Sequence, residues 1–112
     1  MRVAQVSFYV DPAGRPPETL LDAWPSLVDI AECARAGGVA VDVVQACTES
    51  ATVRRTGIDY HFIDARGRGL VRAPAFAALL RETRPDVVHV HGLGAAAEIV
   101  ALAHLWRGPL LL

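Results

Sequence analysis

The sequence predicts an α/β fold: one parallel sheet of about five strands, with helices on both faces. Three observations carry this. Short β-branched runs alternate with segments of helical period. Apolar residues make up 53% of the chain, as suits strands covered on both sides. Proline and glycine punctuate the boundaries between the periodic segments.

Taken in order, residues 2–10 (RVAQVSFYV) alternate apolar and polar and then run apolar, giving a first strand. Residues 11–18 (DPAGRPPE) form a loop with three of the seven prolines and Gly14. A helix is expected from about Asp22 to Ala36, because Leu20, Trp24, Leu27, Val28, Ala31 and Ala34 share one helical face. Pro25 is tolerated only in a first turn, which places the helix start at Asp22 to Trp24. Gly37-Gly38 stops it. Residues 39–46 (VAVDVVQA) are a second strand, Thr48 to Arg55 a polar connection, and Gly57 to Ile63 a third strand. Asp64 to Gly69 reads as a basic, glycine-bearing, solvated loop. Ala73 to Thr83 is a helix with Phe76, Leu79, Leu80 and Thr83 inward. Arg84-Pro85 ends it, since a residue before proline disfavours helical backbone. Val87, Val88 and Val90 mark a buried fourth strand. Gly94 to Trp106 is apolar nearly all round, and so is expected to be buried on several sides. Gly108-Pro109 breaks it, and a fifth strand begins at Pro109 to Leu112.

Strands alternating with helices require right-handed crossovers. The result is a Rossmann-like, doubly wound sheet of order 3-2-1-4-5, switching direction between the first and fourth strands. The loop 11–18 and the segment His89–Gly94 then lie side by side on one crevice.

Composition sets further bounds. At 112 residues the chain, 1–112, is a single domain. No apolar run reaches the ~18–20 residues of a membrane span. The start reads as a strand rather than a signal peptide, so a soluble, cytoplasmic protein is expected. Cys33 and Cys47 lack CxxC spacing and read as buried small residues in a reducing compartment. A formal net charge of −1 gives no electrostatic footprint for nucleic acid. All eleven basic residues are arginine, which excludes a Schiff-base or Walker lysine within this chain. The last residues, Pro-Leu-Leu-Leu, read as a bare edge strand. Such an edge predicts either a continuing segment or cover by another chain, for instance as a homodimer through the fifth strand.

The chemistry-bearing residues gather near the fourth strand. His89 and His91 are two apart, so they share one face of a regular strand. They read as a metal pair, as a ligand-contacting His91 supported by His89 packed or hydrogen-bonded beneath it, or as two histidines merely satisfied within the fold. The metal reading needs further ligands, and only Asp11 lies just past the first strand, so no metal is expected. In the loop, Gly14 permits close backbone approach, Arg15 can face an anion, and Asp11 adjoins them, while the same residues read equally as a stiff solvated loop. No GxGxxG or GxxxxGK[ST] is present, and three prolines remove donors. Gly92 to Gly94, opening the next helix, is the better anion site. Glu98 lies within reach of the crevice, although an ordinary solvated glutamate is the default. His61 reads as structural, and His104 as complementing a helix dipole. No Ser-His-Asp or Cys-His arrangement can be placed, so no catalytic residue is assigned.

The segment RPDVVHVHG resembles the "pDvvHaHg" strand in the N-terminal domain of GT-B glycosyltransferases of the family-4-like retaining group. MRVAQVSFYV is similar to their first strand, SLVDIAECARAGGVAVDVVQA to their next helix and second strand, and RTGIDYHFID to the strand after. The resemblance covers nearly the whole chain, in order. It implies two Rossmann-like domains facing across a cleft. The N-terminal one binds a sugar or small-molecule acceptor. The C-terminal one binds a nucleotide-sugar donor and carries the acidic E-x7-E signature. His91 matches the histidine that closes the fourth strand and lines the acceptor side, and Gly92 follows it as in the family. The loop after the first strand matches in place, with a single Gly14 where family members have a Gly-Gly pair. The resemblance thus implies half an enzyme, with no cofactor of its own and a donor domain required in cis or in trans. It leaves room for peripheral membrane association of the full enzyme. Two other classes stand beside it: a complete, non-catalytic ligand- or partner-binding module, and a metal hydrolase using His89 and His91.

Overall fold

A computed structural model describes residues 1–65, 72–92 and 94–112 of the chain. In order its elements are β1 (Arg2–Ser7), α1 (Pro17–Ala23), α2 (Pro25–Ala36), β2 (Ala40–Cys47), β3 (Ala51–Arg55) and β4 (Ile58–Asp64). There follow α3 (Ala73–Thr83), β5 (Val87–Val90), α4 (Ala96–Leu105) and β6 (Leu110–Leu111). The strands form one sheet of order β3-β4-β2-β1-β5-β6. All neighbours are parallel except β3 with β4. The five expected strands therefore keep the expected order, and β3 is an addition at the edge.

β3 replaces the expected polar connection. It turns into β4 through Thr56 and Gly57, both at positive φ (52° and 73°), as a tight two-residue hairpin requires. Its side chains alternate between half-buried and exposed, and only Val53 packs on the core. An antiparallel strand on the rim of a parallel sheet needs no more apolar surface than that.

The single helix expected from Asp22 to Ala36 is two helices. Trp24 breaks them apart at φ −116° and ψ 74°. Pro25 imposes the break, because the residue before proline avoids the helical region. Pro17 and Pro25 each open a helix at its first turn, where no hydrogen bond is lost. At the end of α3, Arg84 adopts the left-handed conformation (φ 52°, ψ 58°), and its amide donates to the Leu80 carbonyl at 2.9 Å.

The sheet buries two cores. On one face Ala4, Val6, Val44, Val88 and Val90 pack beneath Phe76, Leu80, Leu102 and Trp106 of the α3–α4 side. Phe8 and Phe76 meet with ring centroids 4.5 Å apart. On the other face Val41, Val43, Tyr60 and Phe62 pack beneath Leu20, Leu21 and Ala31 of α1 and α2.

Two burial expectations are corrected. α4 buries one stripe, Glu98, Ile99 and Leu102, and exposes Val100 and Leu105 on its other side. It packs against α3, and its buried stripe joins the core on that face of the sheet. Cys33 is exposed on the outer side of α2, whereas Cys47 is buried.

These two environments give an expected contrast in equilibrium denaturation. Phe76→Ala removes a fully buried ring and should cost about 3–5 kcal/mol. Val100→Ala should stay within about 0.5 kcal/mol. Comparable losses would place α4 deeper than described.

Candidate functional site

β1 and β5 are neighbours, yet the chain leaves them toward opposite faces of the sheet. Their carboxyl ends therefore diverge around a crevice at the switch point. His91 sits at its rim, one residue past β5. The His91 amide donates to the Val6 carbonyl at 2.8 Å and so extends the β1–β5 ladder by one residue. Gly92 then turns the chain at φ +85°, with nothing within 4 Å of the position a Cβ would take. Backbone conformation, not space, favours glycine there.

The crevice has a volume of about 590 Å³. Phe8, Tyr9 and Val10 line it from the segment after β1, and His91, Gly92, Gly94 and Ala95 from the segment after β5. Arg72 and Glu98 complete it, with Arg72 Nη1 3.7 Å from Glu98 Oε1. The same Arg72 nitrogen donates to the Phe8 carbonyl at 3.3 Å. Glu98 is thus buried and paired, not solvated as expected. Ala95, the N-cap of α4, supplies no side-chain cap, and Glu98 lies in the first turn. A carboxylate there complements the positive end of the helix dipole. The helix start read as an anion site already carries an acidic group of its own.

The His89 and His91 rings lie with centroids 4.2 Å apart, tilted by 42°. His91 Nε2 is buried and has no hydrogen-bond partner among the described residues. Burial, and then the neighbouring His89, hold the His91 imidazole below its ordinary value of 6.5. The ring is therefore neutral at pH 7.

The loop after β1 is organised around Asp11. Its carboxylate accepts from the Ala13 amide at 3.0 Å, the Arg15 amide at 3.3 Å and the Arg15 guanidinium at 3.0 Å. Gly14, at φ +65°, donates its amide to the Asp11 carbonyl at 2.9 Å. Burial raises the Asp11 pKa, but these hydrogen bonds and the Arg15 charge outweigh it and leave the carboxyl below its usual range. Asp11, Gly14 and Arg15 form a self-contained turn and do not line the crevice. Of the residues singled out in the sequence, the structure brings His91, Gly92 and Gly94 together at the crevice, with His89 packed against His91. Leu93 and residues 66–71 of the basic loop lie outside the described residues.

Sequence reasoning missed Arg72 and the burial of Glu98. Glu98 did leave a signal: it is the sole carboxylate in the apolar run from Gly94 to Leu105. Arg72 left none.

A separate polar cluster lies elsewhere on the sheet. One ligand atom each from Asp42, Asp59 and His61 fall within 4.8 Å of one another. Arg2 Nε sits 2.8 Å from Asp42 Oδ2, His61 Nε2 3.4 Å from Asp42 Oδ1, and Arg54 Nη1 3.0 Å from Asp59 Oδ1. Burial raises the Asp42 pKa, but His61 and Arg2 outweigh it and the carboxyl ends below its usual range. The cluster is a polar network of residues from β1, β2, β3 and β4. His104 Nδ1 donates to the Val100 carbonyl, 2.9 Å away, within its own helix.

A doubly wound sheet with a crevice at its switch point defines a Rossmann-like domain. Its family follows from its sequence: residues 25–112 match the family model Glycosyltransferase Family 4, and the chain belongs to that family. The match takes in His89 to Gly94 and leaves out β1, the Asp11–Arg15 turn and α1. No curated protein matches the chain. No helix among the described residues is long and apolar enough to cross a membrane.

The depressed His91 value makes a signed prediction. Between the folded value and about 6.5, the unfolded chain binds a proton that the folded chain does not. Stability should rise with pH through that window and level off above it. His91→Gln should remove this part of the slope, read from denaturation midpoints at about pH 5 and about pH 7.5. Equal acid losses in both proteins would contradict the burial of the ring.

Proposed function

We propose that this chain is the acceptor-binding, N-terminal half of a GT-B glycosyltransferase, completed in cis or in trans by a domain that holds the nucleotide-sugar donor. The observation that carries the reading is the position of His91. It closes β5 within the segment matched to the family and lines the switch-point crevice, with its Nε2 buried and unpartnered among the described residues. A neutral imidazole there can hydrogen-bond an acceptor hydroxyl and hold it in one orientation, which is how a positioning group lowers a barrier.

The charges around the crevice support the division of labour. A nucleotide-sugar diphosphate needs cations or free helix-start amides. Arg15 is engaged by Asp11, Arg72 faces Glu98, and Glu98 occupies the first turn of α4. The chain has no lysine to add. Cationic contacts to the donor therefore fall to the other domain, and this half contributes Gly92 and Gly94 as an open floor on which an acceptor can lie close to the backbone.

Isothermal titration of the 112-residue chain with UDP-glucose and GDP-mannose tests the reading. No saturable heat in the micromolar range is expected from either nucleotide sugar. Tight binding of one by this chain alone would overturn the assignment of donor binding to a second domain.

A further inference from the structure

Three guanidinium groups gather at the end of the sheet opposite the crevice, where the parallel strands begin. Arg2 opens β1, Arg54 lies near the end of β3, and Arg35 lies in the last turn of α2. All three line one polar pocket of about 440 Å³, together with Asp42 of β2, Asp59 of β4 and Gly57 of the β3–β4 hairpin.

Two of the three cations are matched. Arg2 Nε lies 2.8 Å from Asp42 Oδ2, and Arg54 Nη1 lies 3.0 Å from Asp59 Oδ1. His61 Nε2 stands 3.4 Å from the other oxygen of Asp42, so both oxygens of that buried carboxylate are engaged. Each pair uses one nitrogen of its arginine and leaves the others open. Arg35 has no carboxylate. Among the described residues it makes neither an ion pair nor a side-chain hydrogen bond. Its guanidinium lies against Gly57, where a Cβ would overlap it. Gly57 stands at φ +73°, so the glycine that the hairpin backbone requires also leaves the space that the guanidinium fills. The open nitrogens are within reach of a ligand: the side chains of Arg2 and Arg54 are 49% and 68% exposed, and Arg35 is exposed as well.

We propose that this pocket is a binding site for a phosphate monoester. Three cations against two carboxylates leave one positive charge in a concave space, and an anion relieves the repulsion among them. A phosphate monoester carries its charge on three oxygens of one phosphorus, which planar guanidinium forks meet in paired hydrogen bonds. Arg35 supplies the unmatched charge, and Arg2 and Arg54 add the nitrogens that their carboxylates leave open. The volume lies within the range of small-molecule sites and leaves room for the group that carries the phosphate. A divalent cation is the competing occupant, since ligand atoms of Asp42, Asp59 and His61 fall within 4.8 Å of one another. It is disfavoured because both carboxylates are already paired with arginines and a third guanidinium lines the same space. The two phosphates of a nucleotide sugar are diesters with one charge each, so their capture does not follow. The site is separate from the crevice, and it stands whether or not the acceptor-half reading holds.

The test is an NMR titration of the ¹⁵N-labelled whole chain at about pH 7.5 with inorganic phosphate and with glucose 6-phosphate, against sodium chloride at matched ionic strength. The Gly57 amide and the Arg35 Nε–H should shift saturably with both phosphate compounds, in the millimolar range, and not with chloride. Arg35→Gln breaks no ion pair and should weaken the binding about fivefold or more, read at the Gly57 amide. Arg107→Gln removes the same charge from an exposed position outside the pocket and should leave the binding unchanged. Sedimentation with phosphatidylcholine vesicles carrying phosphatidic acid separates two sources of the group. Capture that Arg35→Gln abolishes assigns a lipid headgroup, no capture assigns a soluble phosphorylated compound, and either keeps the site. No saturable shift with either phosphate compound, equal losses in the two variants, binding untouched by Arg35→Gln, or saturable binding of zinc in place of phosphate would overturn the inference.

Discussion

The molecule depends on one long-range pairing, that of β1 with β5. Val3 to Val6 lie in register with Val87 to Val90 across more than eighty residues of intervening chain. Closing so large a loop is entropically unfavourable, and the pairing is clamped at both ends. At the start, the Arg2 amide donates to the Asp86 carboxylate and the Asp86 amide to the Arg2 carbonyl, each at 2.7 Å. At the finish, His91 donates to Val6. Between the clamps Ala4, Val6, Val88 and Val90 are almost wholly buried against α3 and α4. This pairing creates the switch point, and the switch point creates the crevice.

The same pairing sets what the opposite face presents. A strand alternates its side chains, so the residues between the buried ones must point toward α2. In β1 these are Gln5 and Ser7, and at β5 they are His89 and His91. Gln45 of β2 joins them. A parallel sheet covered by helices is ordinarily apolar on both faces. A polar stripe inside one is costly unless satisfied, and two of its atoms are not. Local rules broken at the carboxyl end of a sheet mark function rather than stability.

Much of this was legible in the sequence because the signals were strong. The valines of β5 and the period of α3 leave little choice, and α3 spans the expected Ala73 to Thr83. The strand order followed from alternation together with the doubly wound pattern. β3 was hidden because an edge strand with arginines at positions 54 and 55 carries no apolar run. The α1–α2 break was hidden because the apolar period continues through Pro25, and only the backbone registers the interruption. At the site, the spacing of His89 and His91 showed a shared face. It did not show that Asp11 would claim Arg15, or that Glu98 would fold inward toward Arg72. Those are tertiary pairings between segments, and composition does not encode them.

A family-4 domain whose Arg15 and Arg72 are engaged by carboxylates, and whose buried His91 stands at the switch-point crevice, fits the proposed role of orienting an acceptor hydroxyl rather than gripping a diphosphate. The most direct measurement is steady-state sugar transfer by the assembled two-domain enzyme carrying His91→Ala. The account predicts that kcat/KM for the acceptor falls about a hundredfold, the scale of a lost positioning contact, while the affinity for donor is unchanged. Transfer at the original rate, or a loss confined to donor binding, would contradict it.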